Sequence, residues 1–237
     1  MNRGIIPLDG DCILMKRIRF LLLVIIFLLC ISACGSARDT IELMPLVRLQ
    51  TDLGPRTPGS EAHAQFISQA SAILKESGWT VSCEAETWQK RTVKNIIAER
   101  GAENAETWIV VGAHYDSRIT ADQETEQENK LKPVPAANDG ASGAAVLLGL
   151  AKTLPDLPEK KITLAFFDAE DQGKIMGWPD WCLGSALLAS KYGELERKPD
   201  AVIVIDMIGD ADLNIYRERN SDPSNTVSDP AHVPPMQ

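Results

Sequence analysis

Four short stretches of this chain carry side chains that could hold a metal or move a proton. They are Gly112-Ala113-His114-Tyr115-Asp116-Ser117, Ala137-Asn138-Asp139-Gly140-Ala141-Ser142-Gly143, Phe166-Phe167-Asp168-Ala169-Glu170-Asp171 and Ile205-Asp206-Met207-Ile208-Gly209-Asp210. Each alone has a bland reading. A histidine at a strand end commonly serves a structural hydrogen bond, and an aspartate ahead of a helix, as Asp139 is, is more often an N-cap than a ligand. The third stretch resists that reading, because three carboxylates in four residues repel one another unless they share a proton or a cation. Hard carboxylate oxygens together with an imidazole suit zinc, which in catalytic sites keeps three protein ligands and one open position.

For these groups to meet, the elements before them must end on one edge of one sheet. Trp108 to Ala113, Lys161 to Phe167 and Ala201 to Ile205 read as apolar strands buried in the middle of a sheet. Asp139 to Thr153 and Gly184 to Tyr192 read as the helices between them. That alternation demands crossover connections. It predicts an α/β fold, a three-layer αβα sandwich with a mixed, largely parallel sheet. Ligands of such sheets gather at the carboxyl ends of the strands, where the clusters fall. Upstream, Thr40 to Leu53 reads as a helix stopped by Gly54-Pro55 and Pro58-Gly59. Ser60 caps a second helix with one apolar face (Ala62, Phe66, Ile67, Ala70, Ile73, Leu74), and Gly78 follows its end. Trp79–Trp88 and Thr92–Glu99 read as a strand pair, and Ile119 to Pro135 as a polar surface loop.

His114-Tyr115-Asp116, Asn138 to Gly143, Glu170-Asp171 and Asp206-Met207-Ile208-Gly209 occur in an order that resembles the co-catalytic zinc aminopeptidases and their relatives, the glutaminyl-peptide cyclotransferases. Gly54-Pro55-Arg56-Thr57-Pro58-Gly59-Ser60 resembles that family's first motif, and the similarity spans roughly residues 42–219. The resemblance implies zinc as cofactor and peptide or protein N-termini as substrates. Asp139 matches the metal-bridging aspartate of the aminopeptidases and the zinc-binding aspartate of the cyclases. Glu170 matches the general base, and Asp171 the acidic zinc ligand beside it. The family more often has Glu there, so the shorter Asp171 requires the backbone to come closer to the metal. His114 and Asp206 match ligands of a second zinc in aminopeptidases. In cyclases of animal type the same two positions flank a single zinc, and Asp206 would then orient neighbouring groups.

One spacing separates the two activities. Gln172 to Leu183, twelve residues, lie between Asp171 and Gly184-Ser185 and include Trp178 and Trp181. This resembles the cyclases, whose loop of that length carries a tryptophan into the substrate pocket, and it makes Trp178 or Trp181 the candidate wall for a glutamine side chain. A packing tryptophan in a long loop is the competing reading. The expected reaction is therefore zinc-dependent conversion of N-terminal glutamine to pyroglutamate with loss of ammonia. Hydrolytic release of N-terminal residues is the alternative.

The remainder bounds the setting. The chain has 237 residues, 44% apolar and 24% charged, and a net charge of −9 without a long basic run, which argues against nucleic acid as a partner. Met15-Lys16-Arg17-Ile18-Arg19, the apolar run Phe20 to Ile31 and the small residues before Cys34 read as a lipoprotein signal peptide over residues 15–33. Residues 1–14 then form a mis-start extension and 34–41 a tether. A lipid on Cys34 implies export to the periplasmic side of a bacterial membrane, plausibly the outer one. Cys83 and Cys182 are expected as two free thiols. From Asn220 the chain turns polar and Pro-rich, which reads as a disordered tail over 220–237. The family's last zinc ligand is a histidine near the C-terminus, yet the histidines outside His114 are His63 in an early helix and His232 in that tail. The expectation is of an incomplete domain whose last strands are missing. An inactive truncated lipoprotein is the third reading.

Overall fold

Side-chain alternation along one strand sets the layers of this protein. In β4 (Lys160–Phe167) Ala165 and Phe167 face one side of the sheet while Leu164 and Phe166 face the other, and all four are buried. The computed structural model describes residues 41–214 apart from 89, 176 and 179. The expected signal peptide, the lipidated Cys34, most of the tether and the tail with His232 lie outside them. Elements run in the order α1 (Met44–Thr51), α2 (Glu61–Glu76), β1 (Thr80–Trp88), β2 (Arg91–Arg100), β3 (Thr107–His114), α3 (Ala141–Thr153), β4, α4 (Leu183–Glu194) and β5 (Ala201–Val204).

The five strands form one sheet in the order β1-β2-β4-β3-β5. β3 pairs parallel with both β4 and β5, whereas β1 with β2 and β2 with β4 are antiparallel. The sheet is thus mixed, with its parallel half at the end that bears the acids. Ile97, Trp108, Val110, Ala165 and Phe167 pack against Leu188 and the half-buried Tyr192 of α4. The opposite face is covered by α2 and α3, so helices flank both faces as the three-layer fold requires.

Small residues let α3 lie close to the strand ends. A Cβ on Gly143 would come within 2.7 Å of the Ile205 carbonyl oxygen and 2.9 Å of the Ala113 Cβ. Ser60 caps α2 as its sequence predicts, its hydroxyl accepting from the His63 N–H at 3.1 Å. The N-cap of α3 is Gly140, not Asp139, and its φ of 93° excludes most other residues. Asp139 is therefore released for other work.

β5 departs from its expected place in the buried middle of the sheet. It lies at the margin, with no further strand on its outer side among the described residues, and Val202, Ile203 and Val204 are 59, 52 and 63% exposed. Apolar composition made it look central, but burial depends on neighbours that the strand's own sequence does not name. A groove of about 490 Å³ runs between α4 and β5, lined by Val110, Phe167, Ala189, Tyr192, Val202 and Val204. No helix among the described residues is long and apolar enough to cross a membrane.

Candidate active site

The end of β3 delivers a buried histidine into a ring of acids. His114 is 3% exposed, with Nε2 lying 2.9 Å from Asp139 Oδ1 and 3.4 Å from Asp206 Oδ1, and Nδ1 lying 3.4 Å from Asp116 Oδ1. Gly140 allows this approach, since a Cβ there would stand 3.0 Å from His114 Cε1 and 2.9 Å from the Asp116 carbonyl oxygen.

Asp116, fully buried, ties the end of β3 to the end of β4. Its carboxylate accepts the backbone N–H of Glu170 at 3.0 Å, that of Asp171 at 3.3 Å and the Gln172 side-chain amide at 2.8 Å. Asp206 is set by a second tie. The Gly209 N–H donates to Asn138 Oδ1 at 2.7 Å, and the Ile208 N–H to the Ser142 hydroxyl at 3.2 Å, which itself donates to the Asn138 carbonyl. Beneath them Arg56 of the first motif is fully buried and donates to the carbonyls of Tyr115, Gln50 and Ala136. Burial lowers its pKa to about 10, with Asp116 opposing that shift, so it stays charged at neutral pH.

All five residues assigned to metal or catalysis converge. The donor atoms of His114, Asp139 and Asp206 lie within 4.8 Å of one another, and so do those of His114, Glu170 and Asp171. His114 Nε2 is the diagnostic atom. It is buried and makes no well-formed hydrogen bond despite the two carboxylates beside it. A buried nitrogen without a partner, surrounded by hard oxygen donors, fits a divalent cation such as zinc.

The two tryptophans part company. Trp178 is buried with Val93, Ala169 and Leu183 and carries the Arg91 guanidinium 4.7 Å from its ring centroid, as a packing residue does. Trp181 is 43% exposed, and the Arg118 guanidinium lies 4.6 Å from its ring centroid. Arg118 also donates to the Asp171 carbonyl at 2.5 Å, so one guanidinium touches both the Trp181 ring and the main chain of residue 171. Cys83 and Cys182 are both free, and the Cys182 thiol donates to Glu170 Oε1 at 3.1 Å.

Sequence reasoning missed four supporting residues: Asp116, His63, Asp168 and Arg118. An Asp two residues after a candidate ligand was one available signal. The others depend on partners distant in the chain; His63, for example, meets Asp168 across 105 residues.

Like charges leave protons in the cluster. Burial raises the Asp171 carboxyl to about 8, reinforced by the charge of Asp139. For His114, burial lowers the pKa, but the carboxylates of Asp116, Asp139 and Asp206 outweigh it and raise the pKa well above the ordinary histidine value. A carboxyl raised in the folded state adds stability that is fully present below its unfolded pKa of about 4 and is lost as pH climbs through about 8. Without metal, the protein should therefore lose stability between about pH 4 and pH 8 on account of Asp171. A cation held by Asp171 would have to displace that proton below pH 8. Calorimetric titration with zinc at pH 7, in buffers of differing ionisation enthalpy, should show release of about one proton or more per ion. Release near zero would contradict this protonation pattern.

This geometry has counterparts. Residues 95–232 match Peptidase family M28, a match that runs past Ser221, where the resemblance in the sequence fades. The glutaminyl-peptide cyclotransferase of Drosophila melanogaster is 30% identical over 176 residues, covering 68% of this chain and 47% of that protein. A probable zinc metalloprotease of Pyrenophora tritici-repentis is 27% identical over 165 residues, 65% of this chain and 32% of that protein. The chain thus spans about half the length, or less, of these curated relatives. Among solved structures, Tannerella forsythia glutaminyl cyclase superposes with a TM-score of 0.62 at 30% identity, covering 70% of this chain and 61% of that one. With the mixed sheet, the strand-end acids and the family match in agreement, the chain belongs to peptidase family M28.

Proposed function

We propose that this chain is a zinc-dependent glutaminyl-peptide cyclotransferase-like enzyme, closing the N-terminal glutamine of a peptide to pyroglutamate and releasing ammonia. The observation that supports this reading is in the loop from Gln172, where the exposed Trp181 ring stacks on Arg118, whose guanidinium also donates to the Asp171 carbonyl. An aromatic wall from this loop would suit a short amide side chain. The likeness to named glutaminyl cyclases supports the same reading.

Asp139 and Asp171 would hold the zinc, with His114 and Asp206 beside them. Bound there, zinc supplies Lewis-acid polarisation of the substrate γ-carbonyl. In the reaction the α-amine nitrogen bonds to the γ-carbonyl carbon and the bond to the side-chain amide nitrogen breaks. Glu170 takes the proton that the α-amine loses and returns it to the departing nitrogen, which leaves as ammonia. Cys182 donates to Oε1 of Glu170, so Oε2 is the oxygen left for this transfer. Asp116 holds the main chain of both acids and so fixes the angle at which the carboxylate meets the amine.

A second reading has one observation in its favour. His114, Asp139 and Asp206 form a three-donor group beside that of His114, Glu170 and Asp171, the two sharing His114, and aminopeptidase chemistry needs a second metal. The two are separated by supplying a Gln-initiated dipeptide and leucine amide to the zinc-loaded protein. Ammonia from the dipeptide with no free leucine from the amide, at one zinc per chain, is the expected result. Free leucine at two zincs per chain would replace the cyclase reading with the peptidase one.

A further inference from the structure

Asp116 is one tie between the turns that carry the acids. Behind them, out of reach of substrate, lies a buried knot centred on His63. This histidine, on the first turn of α2, is 1% exposed, and its Nε2 lies 2.9 Å from Asp168 Oδ1 and 3.0 Å from the Tyr115 hydroxyl oxygen. The Tyr115 hydroxyl donates its own proton to the Lys94 carbonyl at 2.7 Å, so its oxygen is an acceptor toward His63. Burial, with the charges of Asp168 and Asp116, raises the Tyr115 pKa and keeps that proton in place. The network thus assigns the His63 proton to Nε2, shared between the carboxylate and the phenol oxygen.

Both partners lead straight to the site. Tyr115 stands between His114 and Asp116, and its ring is stacked on His63 at 5.2 Å and on Phe66 at 5.1 Å. Asp168 also accepts from the Lys94 N–H at 2.7 Å and from the Ala169 N–H at 2.8 Å. Ala169 has a φ of 53°, left-handed backbone that an alanine avoids, and the next two residues are Glu170 and Asp171. The Asp168 carboxylate therefore pins the turn that aims the two acids, and His63 pins Asp168.

We propose that His63 is a positioning residue: by joining Tyr115 to Asp168 it fixes the turns that aim His114 on one side and Glu170 and Asp171 on the other, and thereby sets the metal affinity of the site. This rests on the reading of those residues as a metal site, and is independent of which substrate is turned over.

The test is zinc affinity of the full chain, measured by competition with a chromophoric chelator well below the unfolding temperature, with the Tm of the metal-free protein recorded beside it. His63→Phe keeps a packed ring and removes the donor; His63→Gln returns an N–H at similar reach. The expected result is a loss of about 10–100-fold in zinc affinity for His63→Phe and recovery of most of it by His63→Gln. In turnover, kcat should fall in His63→Phe while KM stays within about twofold. Unchanged zinc affinity with a lowered Tm would reduce His63 to a packing residue and overturn the proposal, as would a His63→Gln variant no better than His63→Phe. Should His63→Phe fail to fold, Tyr115→Phe deletes one hydroxyl and keeps the stacked ring. A severalfold drop in zinc affinity then supports the proposal, and wild-type affinity rejects it. A wild-type chain that releases no ammonia yet binds zinc in a His63-dependent way sinks the cyclase reading alone. Turnover with His63-independent zinc binding sinks this inference alone.

Discussion

Replacing Glu170 with Gln should lower kcat by about 10²–10⁴-fold and leave zinc affinity within about threefold of wild type. The magnitude is that of a positioned general base, and the substitution isolates it. The main chain of residue 170 is held by Asp116 at 3.0 Å whatever the side chain. The Cys182 thiol can still donate to an amide oxygen at the position of Oε1. What the amide cannot do is accept and return a proton. Zinc affinity is the necessary companion measurement, because Glu170 also belongs to the donor group with His114 and Asp171. A variant whose zinc affinity collapses together with its turnover would make Glu170 a ligand. A variant with full turnover would remove it from the chemistry altogether.

Asp139→Asn should weaken zinc by more than the roughly 10–100-fold that loss of an outlying hydrogen bond causes, since it neutralises a direct ligand. Asp139 Oδ1 is the carboxylate oxygen nearest to His114 Nε2, and α3 leaves this side chain free by taking Gly140 as its cap. At a zinc concentration that saturates and stabilises the wild type, the variant's Tm should rise clearly less, because stabilisation by a ligand follows its affinity. Metal-free Tm should change little, as the relief of Asp171 and the loss of the His114 partner oppose each other. A zinc-induced Tm shift equal to the wild type's would exclude Asp139 as a ligand.

How much of this could be read in advance depends on how local each cause is. Ser60 before an apolar-periodic run is a cap wherever it occurs, so α2 was legible to the residue. The four clusters were legible because strand ends in an α/β sheet share an edge, and the structure brings His114, Asp139, Glu170, Asp171 and Asp206 together there. Trp178 and Trp181 show the limit. They are the same residue type, three positions apart; one is buried and the other exposed, each stacked by an arginine from a different part of the chain. The burial of Arg56, His63 and Asp168 was illegible for a related reason. Polar residues are mostly exposed, and only a chain that already surrounds them with partners can bury them. The burial of β5 was misjudged because composition reports what a strand would like to touch, not whether anything is there.

That margin governs what can still be added to the sheet. Among the described residues, Val202, Ile203 and Val204 present aliphatic surface along the rim of the sheet, beside a groove that is itself apolar. Strands with such rims are templates for accretion by other chains, and lysine, proline or a bulge usually blunts them. None of these lies within Ala201–Val204, where the chain is aliphatic throughout. This rim is therefore where a further strand would pair, and Ile203→Lys is the smallest change that would oppose such pairing.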